Sequence, residues 1–191
     1  MGVWSMGSSQ RQSFRILITR ARPQRSVFIM NIHQLIDQFV RIVDPSATLF
    51  LQMQSVSALE AVEEVLPKRF PVSYQSLVTR YRFPAFDAGG IQFFPNSGDS
   101  SHDELAEAIF ADPIIANMTH THGFIQFGRP ADGSYDPICF DARSYAKNRE
   151  YPIVRLDHED ILSRNKVGKA AVIADSFYRF ASDFCAPLTR S

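Results

Sequence analysis

Apolar residues in this chain change their period part-way along it, and that change sets the fold class. Between residues 31 and 81 they recur at helical spacing; beyond Phe83-Pro84 they gather in short runs bounded by Gly, Pro and Asp. A period near 3.6 places side chains on one face of a helix, whereas short apolar runs between turn residues are strands. Ile32, Leu35, Ile36, Phe39 and Val43 share one face of a first helix, with Asn31 as N-cap and Pro45 beyond the end. Ser57-Ala58-Leu59-Glu60 has the form of a capping box, in which hydroxyl and carboxylate satisfy exposed N–H groups reciprocally. It opens a short helix through Leu59, Val62 and Leu66 that stops at Pro67. Pro71 suits the first turn of another helix, whose Tyr74, Leu77, Val78 and Tyr81 lie together.

Gly89-Gly90 marks a turn ahead of a short strand, Ile91-Gln92-Phe93-Phe94. Ser101-His102-Asp103-Glu104 is a second capping box, leading to a helix with Leu105, Ala108 and Ile109 inward. Asp112-Pro113 is expected to end that helix and the helical half with it. Three strands are expected next, over residues 123–128, 137–141 and 152–157. Arg129-Pro130-Ala131-Asp132-Gly133 has the chemistry of a reversing loop, so the first two strands should form an antiparallel hairpin. Val172, Ile173, Phe177, Phe180 and Phe184 then read as one face of a C-terminal helix. Helices and antiparallel strands segregate, and no βαβ alternation is visible. The expected class is α+β: a single domain with a mainly antiparallel sheet flanked by helices.

Sixteen phenylalanines among 191 residues predict a phenylalanine-rich core, and no apolar run approaches the roughly 20 residues that span a bilayer. Residues 1–29 are Arg- and Ser-rich and free of acid, the composition of a mitochondrial-type leader. Translation from Met30 would lose no periodic structure, so the segment is read as an untranslated or disordered leader, and the domain as residues 30–188. All twenty acidic residues but only fifteen of the twenty basic ones lie in residues 37–191, a net −5. An acidic body argues against nucleic-acid binding, whose phosphate contacts need Lys and Arg in excess, and suits a basic protein partner. The endogenous protein is expected to lack residues 1–29, and its intact mass checks this; an unprocessed start at Met1 would defeat the leader reading.

The chemistry-bearing patterns are sparse. Thr119-His120-Thr121-His122 would put two imidazoles on one face of a strand, and His158, between Asp157 and Glu159, could add a third zinc-type ligand. That spacing matches no specific metal motif, so the expectation is no metal, no cofactor and no enzyme activity; a metal-assisted hydrolase using His120, His122 and His158 is the alternative. No Gly-x-Ser-x-Gly elbow or phosphate cradle is present. Cys139 falls inside an expected strand, where burial makes a thiol inert, and Cys185 lies near a helix end. Two such cysteines read as reduced thiols of a cytoplasmic protein.

The stretch from Leu66 to Phe184 resembles a SUKH domain of the Smi–Knr type. Leu66-Pro67 followed by Pro71-Val72-Ser73-Tyr74 resembles the family's leucine-proline and tyrosine-bearing helix. Phe127-Gly128, Gly133 and Asp136-Pro137-Ile138-Cys139-Phe140-Asp141 resemble its central hairpin, and Pro152-Ile153-Val154-Arg155-Leu156-Asp157-His158-Glu159 its next strand and polar pair. Ala174-Asp175-Ser176-Phe177 resembles the Ser-Phe signature opening its last helix. The resemblance implies a non-catalytic binding module, either an immunity protein that occupies a co-encoded toxin such as a nuclease, or a regulatory scaffold. It also implies that Asp141 caps or forms a turn, and that Ser176-Phe177 joins a helix-start hydroxyl to a core anchor. Polar or aromatic placement beside the hairpin makes Arg129, Tyr135, Asp136, His158 and Glu159 the expected partner contacts.

Overall fold

A computed structural model describes residues 31–52, 59–97, 102–143 and 148–186. The segment 1–29 expected to be a leader, Ser57 and Ser101 lie outside the described residues. Helix α1 (Ile32–Val43) begins where expected: the side chain of Asn31 accepts from the His33 N–H at 2.9 Å. Strand β1 (Leu51–Gln52) and helix α2 (Leu59–Glu64) follow. Helix α3 (Val72–Arg80) leads into β2 (Tyr81–Arg82), which pairs with β1 in a small two-stranded sheet. Next come β3 (Phe86–Ala88) and β4 (Ile91–Phe93), joined by the Gly89-Gly90 turn. Gly89 has φ +57, and a Cβ there would lie 2.7 Å from the Phe180 ring, so both conformation and space demand glycine.

Helices α4 (Asp103–Phe110) and α5 (Pro113–Thr121) come next, then β5 (Phe124–Pro130), β6 (Ile138–Asp141) and β7 (Ile153–Leu156). Helix α6 (His158–Arg164), strand β8 (Lys169–Ala174) and helix α7 (Phe177–Cys185) complete the order. The main sheet is a six-stranded antiparallel meander, β3-β4-β5-β6-β7-β8. The fold is α+β in one domain, as expected, with the 123–128, 137–141 and 152–157 runs recovered as β5, β6 and β7.

Two expectations are corrected. Asp112-Pro113 does not end the helical half: Asp112 caps α5, accepting from the Ile114 and Ile115 N–H groups at 2.9 and 3.0 Å, with Pro113 in the first turn. A proline there forfeits only an N–H that has no helical partner, so one Asp-Pro pair both stops α4 and starts α5. His120 and His122 therefore sit at a helix end and not on a strand. The C-terminal helix does not include Val172 or Ile173, which are exposed in β8. It starts at Ser176, whose hydroxyl accepts from the Arg179 N–H at 3.0 Å, and Phe177 is fully buried behind it.

The central strands are covered on both faces. Ile125, Phe127, Ile138, Phe140 and Ile153 join residues of α1, α3 and α7 in the main core. Phe124, Cys139, Val154 and Leu156 face the other way and pack with Ile115 and Met118 of α5 and Ile161 of α6. Burial on both faces explains why these strands read as apolar runs without alternation. The phenylalanine-rich core is present: Phe39 contacts the rings of Phe86, Phe93, Phe177, Phe180 and Phe184 at centroid distances of 5.3–6.5 Å.

Two carboxylates fasten the helices. Glu150 accepts from the Ser73 N–H and hydroxyl, both at 2.8 Å, and from the Tyr178 N–H at 3.4 Å. One side chain thus caps the first turns of both α3 and α7. Glu63, itself buried, accepts from the Phe70 N–H at 2.9 Å and the Gln75 amide at 2.6 Å.

Tyr74 lies at the centre of the core, flanked by Phe70, Phe127, Phe140 and Phe177. Its hydroxyl is buried and has no hydrogen-bond partner among the described residues, and that burial raises its pKa. An unsatisfied buried hydroxyl costs about 1–3 kcal/mol. Tyr74→Phe is therefore expected to raise the unfolding free energy by about 1 kcal/mol in urea titration; a loss of similar size would show that the hydroxyl has found a partner.

Candidate interaction site

The loop joining β5 to β6 is folded back onto the junction of β7 and α6, and the contacts are ionic. Asp136, just before Pro137 and β6, is buried. Its Oδ1 accepts from the His158 backbone N–H at 3.1 Å and from the His158 ring Nδ1 at 2.6 Å. Its Oδ2 accepts from Arg155 Nε at 2.6 Å. Arg155 projects from β7 and also donates to the Ser134 hydroxyl at 3.2 Å, with Asp132 at 3.9 Å. Asp157 is the N-cap of α6, accepting from the Glu159 and Asp160 N–H groups at 2.9 and 3.1 Å. Asp44 fixes another loop in the same manner, accepting from the Leu49 and Phe50 N–H groups at 2.7 and 3.0 Å.

Burial opposes ionisation of Asp136, but the donors from His158 and Arg155 outweigh it and hold its pKa below the ordinary value. A carboxylate acceptor fixes the Nδ1–H tautomer of His158 and leaves Nε2 as the ring's second polar atom. Tyr135 is carried on this base. Its ring is 6.2 Å from the His158 ring, and the residue is 70% exposed. A large aromatic side chain offered to solvent beside rigid polar neighbours is the make-up of an interface anchor.

The expected contact residues divide. Tyr135, Asp136 and His158 come together, and Glu159 stands beside them in the first turn of α6. Arg129 does not join them: it lies on β5 opposite Gln92, with its guanidinium 5.9 Å from the Phe94 ring centroid. The residue of this cluster that sequence reasoning passed over is Arg155. Its signal was available, because a cation inside an apolar strand, Ile-Val-Arg-Leu, needs a counter-charge close by.

The three-histidine arrangement is not assembled. His120 stands edge-on to Phe110 at 5.0 Å, and burial lowers its pKa. His122 Nδ1 is 2.8 Å from the Met118 carbonyl. Among the described residues, the ligand-type atoms that lie within 4.8 Å of one another belong to Asp136, Asp157 and His158. In that trio Asp136 is neutralised by Arg155, and Asp157 holds the start of α6. A cation would compete with a guanidinium already in place.

The thiols are placed for packing. Cys139 is fully buried, and desolvation with the nearby Asp141 charge drives its pKa well up. Burial takes Cys185 to about 11. Asp141 serves as a turn former, as expected, accepting from the Arg143 N–H at 3.3 Å. It also meets two cations, Arg143 Nε at 2.8 Å and the Lys169 ammonium. Burial would raise the Asp141 pKa, but Arg143 and Lys169 together bring it below the ordinary value.

No protein-family model and no curated protein matches the chain.

Carboxylates with a depressed folded-state pKa contribute stability above their ordinary value and lose it as pH falls through the folded one. Burial opposes ionisation of Asp44, yet the Phe50, Leu49 and Thr48 N–H donors with Ser46 bring it to about 2. With Asp136 and Asp141 lowered from 3.8, the melting temperature is expected to be flat near neutrality and to fall from about pH 4 toward pH 2. Asp136→Asn should cost about 2 kcal/mol at pH 7 and make that acid limb shallower. An unchanged limb in thermal melts would remove Asp136 from the account.

Proposed function

We propose that this protein is a non-catalytic protein-binding module of the SUKH, Smi–Knr type, acting as an immunity protein that occupies a basic toxin in the cytoplasm. The observation that carries the reading is the exposed Tyr135 seated on the Asp136–His158–Arg155 cluster, with Glu159 and Asp160 at the adjacent helix start. An aromatic anchor on a braced loop loses little conformational freedom on binding, which favours affinity. The acidic body steers a basic partner toward it and raises the association rate.

The SUKH reading draws further support from the order of elements. A proline-started helix bearing a tyrosine precedes an antiparallel hairpin, a further strand followed directly by Asp157-His158-Glu159, and a last helix opened by Ser176-Phe177. The cytoplasmic reading draws on two buried free thiols, Cys139 and Cys185. Among the described residues no helix is long and apolar enough to cross a membrane.

Co-expression with a toxin-domain protein encoded beside this gene is the direct test, and a gene neighbourhood without one counts against the immunity role. Wild-type protein is expected to protect growth and to bind the toxin with salt-sensitive affinity. Tyr135→Ala should weaken binding by about 2 kcal/mol, on the order of 30-fold in Kd, and Glu159→Lys should mainly slow association. Full binding and protection by Tyr135→Ala would overturn the site. Failure of the wild type to bind or protect would overturn the immunity role, and affinity capture of a different protein would then favour the regulatory scaffold.

A further inference from the structure

The two edges of the six-stranded sheet are built differently. Edge strand β3 has only three residues, with Phe86 and Ala88 buried and Asp87 outward. The other edge strand, β8, has six, and every residue from Lys169 to Ile173 is exposed, Val172 by 62% and Ile173 by 37%. Among the described residues no strand lies beyond it. A strand edge presents unpaired N–H and C=O groups, and proteins blunt such edges with proline, charge, bulges or a cover. β8 has register shifts against β7, but between Lys169 and Asp175 its sequence is Ala-Ala-Val-Ile-Ala, with neither proline nor charge.

The charges at its first residue and in the bend just past its last, Ala174, identify the occupant. Lys169 lies three residues before Val172, and Asp175 three residues after it. When two copies of β8 run antiparallel in a register centred on Val172, each Lys169 faces Asp175 of the other copy, and the Val172 side chains meet at the two-fold axis. Parallel pairing would set like charge against like. Asp175 is exposed, and the Lys169 side chain keeps 38% exposure while it holds Asp141, so its ammonium has donors to spare. Such a contact uses the same patch on both copies and closes after two.

We propose that β8 pairs antiparallel with β8 of a second copy of this chain, joining two six-stranded sheets into one continuous sheet. The inference does not rest on the partner-binding reading. Edge pairing alone buries less than the about 1,000 Å² of a persistent interface, so the dimer forms in a concentration-dependent manner.

Sedimentation velocity of the full chain from about 10 μM to about 1 mM reads this out, since even a millimolar Kd half-fills the dimer at the top of that range. The wild-type mass is expected to climb toward the dimer. Val172→Lys, which sets two ammonium groups on the axis, should stay monomeric throughout with an unchanged melting temperature. Under oxidation Val172→Cys should cross-link to a dimer, whereas Leu162→Cys, 49% exposed but on α6, should not. A wild type that remains monomeric, a Val172→Lys variant that associates equally well, or equal cross-linking through Leu162→Cys would each overturn the proposal. A monomeric wild type whose capture of another protein is abolished by Val172→Lys would also overturn it and assign the edge to a foreign strand.

Discussion

A sheet covered on both faces leaves little water for a carboxylate buried against it, and Asp136 and Asp141 must each find counter-charges within the protein. Two clusters in this fold answer that demand. Arg155, inside β7, is matched by Asp136 brought in from the β5–β6 loop. Asp141, at the end of β6, is matched by Arg143 and by Lys169 from β8. Removing the cations leaves a buried carboxylate without its counter-charge, whereas the cations, a third to a half exposed, keep contact with water. The route of the β5–β6 loop follows from the charge on Arg155, and the position of Tyr135 follows from that route.

The parts of the fold legible in the sequence are those governed by local chemistry. Asn31 could be read as a helix start because a short polar side chain ahead of an apolar period has few other uses, whereas Ser176 is indicated as one only by the SUKH resemblance. The paired glycines at 89 and 90 could be read as a turn because little else tolerates that backbone. Where two readings share one signal, the sequence leaves the choice open. Asp112-Pro113 serves equally as a stop and as a start, and here it is both. Val172 and Ile173 extend the spacing of Phe177, Phe180 and Phe184 backwards, yet β-branched residues at a sheet edge meet the same pattern without being helical. Partnerships across the chain, such as Asp136 with His158 or Asp141 with Lys169, depend on which strands become neighbours. That is a property of the topology and not of any window of residues.

The candidate site shows the same division. Tyr135, Asp136, His158 and Glu159 could be gathered from their polarity beside a hairpin, but Arg155, which braces them, looked like one more strand residue. Arg129 belonged to the hairpin in sequence and to another neighbourhood in space. The histidines at 120 and 122 attracted attention by spacing alone; on a helix end that spacing loses its meaning, because residues two apart on a helix do not share a face.

Glu150 joins parts of the chain that are distant in sequence. Its one carboxylate receives N–H donors from the first turns of α3 and α7, and both helices pack against α1 in the same phenylalanine core. Fraying of either start leaves one Glu150 contact unmade, which couples the opening of the two helices. The segment from Arg149 to Tyr151 therefore acts as the latch of one folding unit made from the early and the final helices. In hydrogen exchange that coupling would draw the amide protons of the two first turns toward one protection class, although about a hundred residues separate them along the chain.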